Sequence, residues 1–166
     1  MFNLLAVHLA LNVFVFWIAA RLYLLPRLAQ LDERSVLLPI LLLHATRHLG
    51  LMFLAPGATY PGLPHAFAYP AAFGDLVAAA LALAAIPAVA TRSRVARPLV
   101  WIFNLVGSVD LIVAIALGTL TGAADQMGPT YWIPAFVVPL LLVTHYVVFV
   151  VLLRKRAGAA SAAAAA

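Results

Sequence analysis

The segment His44-Ala45-Thr46-Arg47-His48-Leu49-Gly50 places two histidines and an arginine inside a run of otherwise apolar residues. Standing at i, i+3 and i+4, His44, Arg47 and His48 share one face of a helix. Three other apolar runs carry complementary groups: Asp75 in one, Asn104, Ser108 and Asp110 in the next, His145 in the last. His8 and Asn12 share a face of the first run. Ionisable side chains in hydrocarbon cost roughly 3 kcal/mol or more each, so such groups turn inward and find partners. Arg47 is the one basic residue outside the connecting segments, and it is the strongest single pointer to a buried site.

Two kinds of chemistry follow from these types. One arginine facing two aspartates can be an ion pair that merely holds helices together, since buried pairs are not functional by default. It can also leave a carboxylate over, able to take a proton, a metal or a cationic ligand. His44, His48 and His145 are metal-ligand types, and three histidines with an acidic residue can hold zinc and keep a position for water. His44 and His145, on different helices at one depth, also have the ingredients of axial ligation of haem b, with Arg47 against a propionate. Asn104 and Asp110 complete the candidate set. Ser108 lies nearly opposite Asp110 on its helix and is expected to bond back to the Asn104 carbonyl.

The helices that must position these groups are legible as apolar runs. A span needs about 20 mostly apolar residues, and five stretches qualify, at 3–25, 35–54, 71–91, 98–119 and 131–153. Pro26 with Asp32-Glu33-Arg34, the prolines and glycines of 55–70, the Arg92/Arg94/Arg97 group with Pro98, and Gly118 to Pro129 interrupt them. Counting 1.5 Å per residue from the cytoplasmic end puts His44 and His145 at about 12–13 Å and Arg47 and Asp110 at about 18 Å. His48 and Asp75 come out slightly further, at about 20–22 Å. Two polar layers are therefore expected, one near the midplane and one in the outer half. The alanines that follow Asp75 let neighbouring helices approach closely, and Pro129, Pro134 and Pro139 free backbone carbonyls that are tolerated only where they are buried or line a cavity.

Orientation comes from the basic residues. Arg21, Arg27 and Arg34 flank the first connection, Arg92, Arg94 and Arg97 lie in the third, and Arg154, Lys155 and Arg156 follow the last span, while the second and fourth connections have none. The expectation is N-terminus out and C-terminus in, in a bacterial-type inner membrane. The first run has its charges after a long apolar core, which reads as a retained span and not a secretory signal. Residues 157–166, ending in five alanines, form a low-complexity cytoplasmic tail expected to fray. His8 and His65 are expected to be solvated near the outer face, where Tyr60, Tyr69, Tyr131 and Trp132 read as an aromatic belt. The 55–70 segment is placed over the mouth of any polar cavity there.

Composition closes off other classes. With 66% hydrophobic and 9% charged residues, against about 25% charged in soluble domains, the solvent of this chain must be lipid. The net charge of +5 sits in short groups between apolar runs, a pattern of membrane loops and not of a nucleic-acid surface. Cysteine is absent, which removes disulfides and thiolate chemistry. H-x-x-x-H without an internal glutamate fails as a zinc-protease motif, and no phosphate loop or nucleophile elbow is present.

The expected architecture is thus an all-α integral membrane bundle of five helices, residues 1–156, with a buried His/Arg/Asp site for a metal, haem or small ligand. In its ingredients the chain is similar to the ceramidase-like membrane hydrolases, which combine His, Asp and Ser in their spans. Those have seven spans and another order of motifs, so the resemblance extends to residue types and carries no site residue over. It implies an intramembrane metal-dependent hydrolase as one alternative. A non-catalytic subunit or chaperone, with a membrane protein partner and a polar core that only holds the bundle together, is the other.

Overall fold

The computed structural model describes residues 4–164, with side chains for 4–154. Among these residues the chain is all-helical, and five helices are long and apolar enough to cross a membrane: Leu4–Arg27, Glu33–Leu54, His65–Ala90, Ala96–Leu120 and Gly128–Arg154. Their α-helical parts are α1 (Leu4–Ala19), α2 (Glu33–Ala45), α3 (His65–Ala90), α4 (Ala96–Leu120) and α5 (Val138–Ala164). α5 runs through most of the low-complexity tail, whose side chains and last two residues lie outside the described residues.

The third helix begins at His65, earlier than the apolar run suggests. Pro70 sits in its second turn, where a missing N–H forfeits only the bond to Ala66, so the proline is absorbed and not helix-ending. α4 ends on Gly122, whose φ of +66° is the left-handed turn that closes a helix. At the opposite end of the bundle Arg92 takes φ +54° after α3, and its guanidinium meets Asp32 at 3.1 Å.

Six helical segments among the described residues depart from α geometry, three of them short 3₁₀ turns at Leu25–Arg27, Ala123–Gln126 and Gly128–Tyr131. Thr46–Leu54 continues the second helix as nine residues of 3₁₀ helix, far beyond the usual three or four. Ala20–Leu24 and Ile133–Val137 are π turns. In the fifth helix Pro139 has no N–H for the Ala135 carbonyl, and Asn12 Nδ2 donates to that oxygen at 2.9 Å instead. The proline break is thereby satisfied from α1.

α3 lies between α2 and α4, α5 packs on α4 and α2, and α1 lies outside against α5. α3 makes its close contacts through Ala72, Ala78, Ala82 and Ala85, all fully buried, as small interfacial residues allow. The end of the bundle bearing the arginine-rich connections has the larger core, with Leu37, Leu41, Val89, Val100, Phe103, Val148 and Leu152 among its buried residues, and two clefts of about 200 and 610 Å³ open at its rim. Arg97 Nη2 donates to the Leu152 carbonyl there. The opposite end, bearing the N-terminus, has a thinner core around Phe53, Phe67 and Met127. It is hollow.

Candidate functional site

Winding decides which of the second helix's polar groups face inward. At three residues per turn, positions three apart eclipse, so Arg47, Gly50 and Phe53 are the buried residues of the 3₁₀ stretch, in line with buried His44 one step earlier. His48 falls off this stripe. It is exposed, and its Nδ1 meets the Ala45 carbonyl at 3.0 Å. The shared face expected for His44, Arg47 and His48 presumed α geometry throughout; the tightened helix keeps the first two and turns the third away.

Arg47 stands at the centre of the site, 3% exposed. Its Nε donates to Asp75 Oδ1 at 2.8 Å and its Nη2 to Asp110 Oδ2 at 2.5 Å. Nη1 is shared between the Gly107 carbonyl and His145 Nε2, each 3.3 Å away. The guanidinium therefore ties three other helices to its own. Its bond to His145 also joins the two polar layers that depth alone had separated.

Behind Arg47 the network is fully directional. Asn104 Nδ2 donates to the His145 carbonyl at 3.3 Å, so its Oδ1 is the acceptor for His145 Nδ1–H at 2.7 Å. That leaves the His145 Nε2 lone pair for Arg47. Thr144 spends its hydroxyl proton on the Leu140 and Leu141 carbonyls, so it accepts from His44 Nε2 at 2.9 Å. His44 Nδ1 is then a bare lone pair, buried and without a partner among the described residues. Phe103 packs edge-on to His44 at 5.0 Å and lies 5.2 Å from His145.

Three glycines make room for this network. A Cβ on Gly50 would run into Asp75 Oδ2, and one on Gly74 into Asp110 Oδ1. One on Gly107 would stand 2.7 Å from His145 Nε2 and 2.9 Å from Arg47 Nη1. Together with Thr144 these glycines are the site residues that sequence reasoning missed. Their signal was present: each stands beside or three residues from a charge, in Arg47-x-x-Gly50, Gly74-Asp75 and Gly107-x-x-Asp110.

The structure thus brings together His44, Arg47, Asp75, Asn104, Asp110 and His145, and leaves out His48. Among the described residues no three His, Cys, Asp or Glu side chains are grouped to hold a metal. The expected His44/His48/His145 zinc set is not assembled, because the 3₁₀ turn points His48 outward. Haem fares no better. The His44 and His145 rings are 4.3 Å apart, centroid to centroid, with no slot for a macrocycle between them, and both nitrogens of His145 are engaged. Ser108 donates to the Asn104 carbonyl at 2.6 Å, as its spacing suggests, and is no free nucleophile.

A cavity of about 690 Å³ reaches the network from the N-terminal end of the bundle. Its walls are apolar, among them Leu4, Leu9, Phe67, Leu111 and Ile115, with Asp75 inside and Asp125 and Tyr131 also in its lining. Pockets of about 300–1,000 Å³ with apolar walls and few polar groups are the usual small-molecule sites. His8 is not free in solvent as expected. Its Nδ1 meets the Tyr131 hydroxyl at 2.9 Å, and its ring stacks on Trp132. His65 is exposed. The connection 55–64 ties to the neighbouring turn through Tyr60 N–H to the Gln126 carbonyl at 2.9 Å, and none of its residues lines the cavity.

Residues 4–153 match the model of a domain of unknown function, DUF8737. The chain belongs to that family. The matched DUF8737 region reaches into all five helices and includes every residue of the Arg47 network. No curated protein and no solved structure matches the chain.

Proposed function

We propose that this chain crosses a bacterial-type inner membrane five times, N-terminus out and C-terminus in, and binds a small apolar molecule in its outer half without chemically changing it. The observation that carries the reading is the cavity of about 690 Å³ that ends on Asp75. Its walls match a lipophilic ligand, and its floor is a network whose geometry is fixed by three helices around Arg47. Binding, not catalysis, is favoured because the potential nucleophile Ser108 is bonded to its own helix, and His44 Nε2 and both nitrogens of His145 are engaged within the protein.

Orientation is tested by single cysteines, which the native sequence lacks. In intact cells a membrane-impermeant maleimide should label Pro56→Cys and spare Ser93→Cys until the cells are opened; the reverse pattern inverts the topology. The binding reading is tested with an apolar environment-sensitive dye on protein reconstituted in zwitterionic nanodiscs. Saturable binding at one site per chain, lost in Ala114→Phe on the cavity wall, is the expected result. Dye binding that ignores Ala114→Phe, or stoichiometric metal in the purified protein, would count against it.

A further inference from the structure

Resting on that reading of the cavity, we propose that its occupant is a monocationic amphiphile, a protonated amine on an apolar chain, with the amine seated at Asp75. Four observations point to this chemistry. The charged residues that line the cavity are Asp75 and Asp125, both acidic; no lysine, arginine or histidine is in the lining, and Arg47 meets Asp75 from behind it. Connections 55–64 and 121–127, at the same end of the bundle, contain no Lys or Arg either. A cation therefore approaches that end without repulsion and finds a carboxylate inside.

Charge balance within the network gives the second and third. Arg47 carries one positive charge against the formal negative charges of Asp75 and Asp110, so with both carboxylates ionised the cluster is one cation short. His145 adds none, since its Nδ1–H is spent on Asn104 and its Nε2 accepts from Arg47. Every guanidinium nitrogen already donates within the protein, which leaves one Nη2 N–H of the five, on a group whose charge two carboxylates already face. On the acceptor side, Arg47 takes Asp75 through Oδ1, and Oδ2 has no hydrogen-bond partner among the described residues. An ammonium supplies up to three N–H donors and meets both needs, the missing charge and the unused oxygen.

The fourth observation concerns the tail. Leu4, Leu5 and Leu9 of α1, Leu111 and Ile115 of α4, and Phe67 of α3 offer the rest of the cavity nothing to hydrogen-bond. A small hydrophilic cation would leave that surface wet, whereas an alkyl chain gains the burial of its methylenes.

The experiment compares dodecylamine, dodecanol and dodecanoate on the full chain in zwitterionic nanodiscs, read by displacement of the apolar dye and corrected for empty discs. The amine should bind roughly tenfold to a hundredfold tighter than the alcohol, the range that a charge-assisted hydrogen bond supplies. Asp75→Asn should close the gap between the two, the amine losing at least about tenfold more than the alcohol. If Asp75→Asn does not fold, Asp125→Asn outside the network carries the test, and it should weaken the amine alone. Equal displacement by all three probes, preference for dodecanoate, or indifference of the amine to these substitutions overturns the proposal while leaving the cavity a binding site. Failure of the dye itself to bind removes the cavity reading, and this inference with it.

Discussion

Replacing Arg47 by leucine takes away the cation that both Asp75 and Asp110 face. The two carboxylates have side chains only 11% and 13% exposed, so water cannot take over the lost charge. Removing one partner of a buried pair costs about 3–5 kcal/mol, chiefly because the remaining charge is stranded. Here two are stranded, and the lower figure is already roughly a hundredfold in the unfolding equilibrium. SDS-driven unfolding of detergent-solubilised protein, followed by tryptophan fluorescence, reads that change directly. The decisive control is Arg47→Leu combined with Asp75→Asn and Asp110→Asn. It removes every formal charge from the cluster and should recover stability to within about 2 kcal/mol of wild type, because apolar or neutral replacement of a whole buried network is often near-neutral. Arg47→Lys should fall between, since one ammonium cannot span two carboxylates held 2.8 and 2.5 Å from different guanidinium nitrogens. The reasoning fails if the leucine variant loses less than about 1 kcal/mol, or if the triple variant is no more stable than the single one.

Three smaller perturbations test the parts around Arg47. Gly107→Ala sets a methyl 2.7 Å from His145 Nε2 and 2.9 Å from Arg47 Nη1, and overpacking of this kind should cost about 1–3 kcal/mol in the same assay. Asn12→Leu strips the Ala135 carbonyl of its donor and should cost about 0.6 kcal/mol and at most about 1.7 kcal/mol, the measured span for hydrogen bonds between membrane helices; a larger loss would mean that α1 is held by more than this bond. His48→Ala should change stability by no more than about 0.5 kcal/mol and leave ligand binding intact, in contrast to His44→Ala, which leaves Thr144 without its donor. Equal effects at the two histidines would contradict the placement of His48 on the outer face of the 3₁₀ turn.

Much of this architecture was legible because membrane physics leaves the chain few options. Five apolar runs gave five helices, with ends shifted by at most a few residues except at His65, where the proline in the second turn was given too much weight. The principle that ionisable groups must turn inward was enough to collect His44, Arg47, Asp75, Asn104, Asp110 and His145. His48 was misplaced for a specific reason. A helix face drawn at 3.6 residues per turn joins positions 44 and 48, and one drawn at three per turn does not. The clue lay in the inward-facing positions themselves, His44, Arg47, Gly50 and Phe53, a strict repeat of three. It was easy to miss because Gly50 has no side chain to mark the pattern. The cavity was not legible at all, since emptiness is a property of how Leu9, Phe67 and Ile115 fail to meet, and no residue type encodes that.

The contrast between the two ends of the bundle bears on what kind of protein this is. A conduit needs a polar route past the Arg47 network to the other side, and among the described residues apolar side chains stand between that network and the charged cleft of Asp32, Arg34, Arg92 and Arg97 at the far end. From Phe103 through Val100, Leu41, Leu37 and Leu152, buried apolar side chains fill the interior beneath His44 and His145. The nearest charges beyond them, Arg97 at the Leu152 carbonyl and Arg92 on Asp32, are held by helix ends and not by a pore. A polar network that is costly to bury stands between the cavity and the larger apolar core, with the Asp75 carboxylate on the cavity side. That position is hard to explain if the network only clamps helices, since a clamp could sit anywhere along them and would be better placed away from a cavity wall. It is the position that the proposed binding reading requires of a floor, where one end of a molecule entering from the open side would rest.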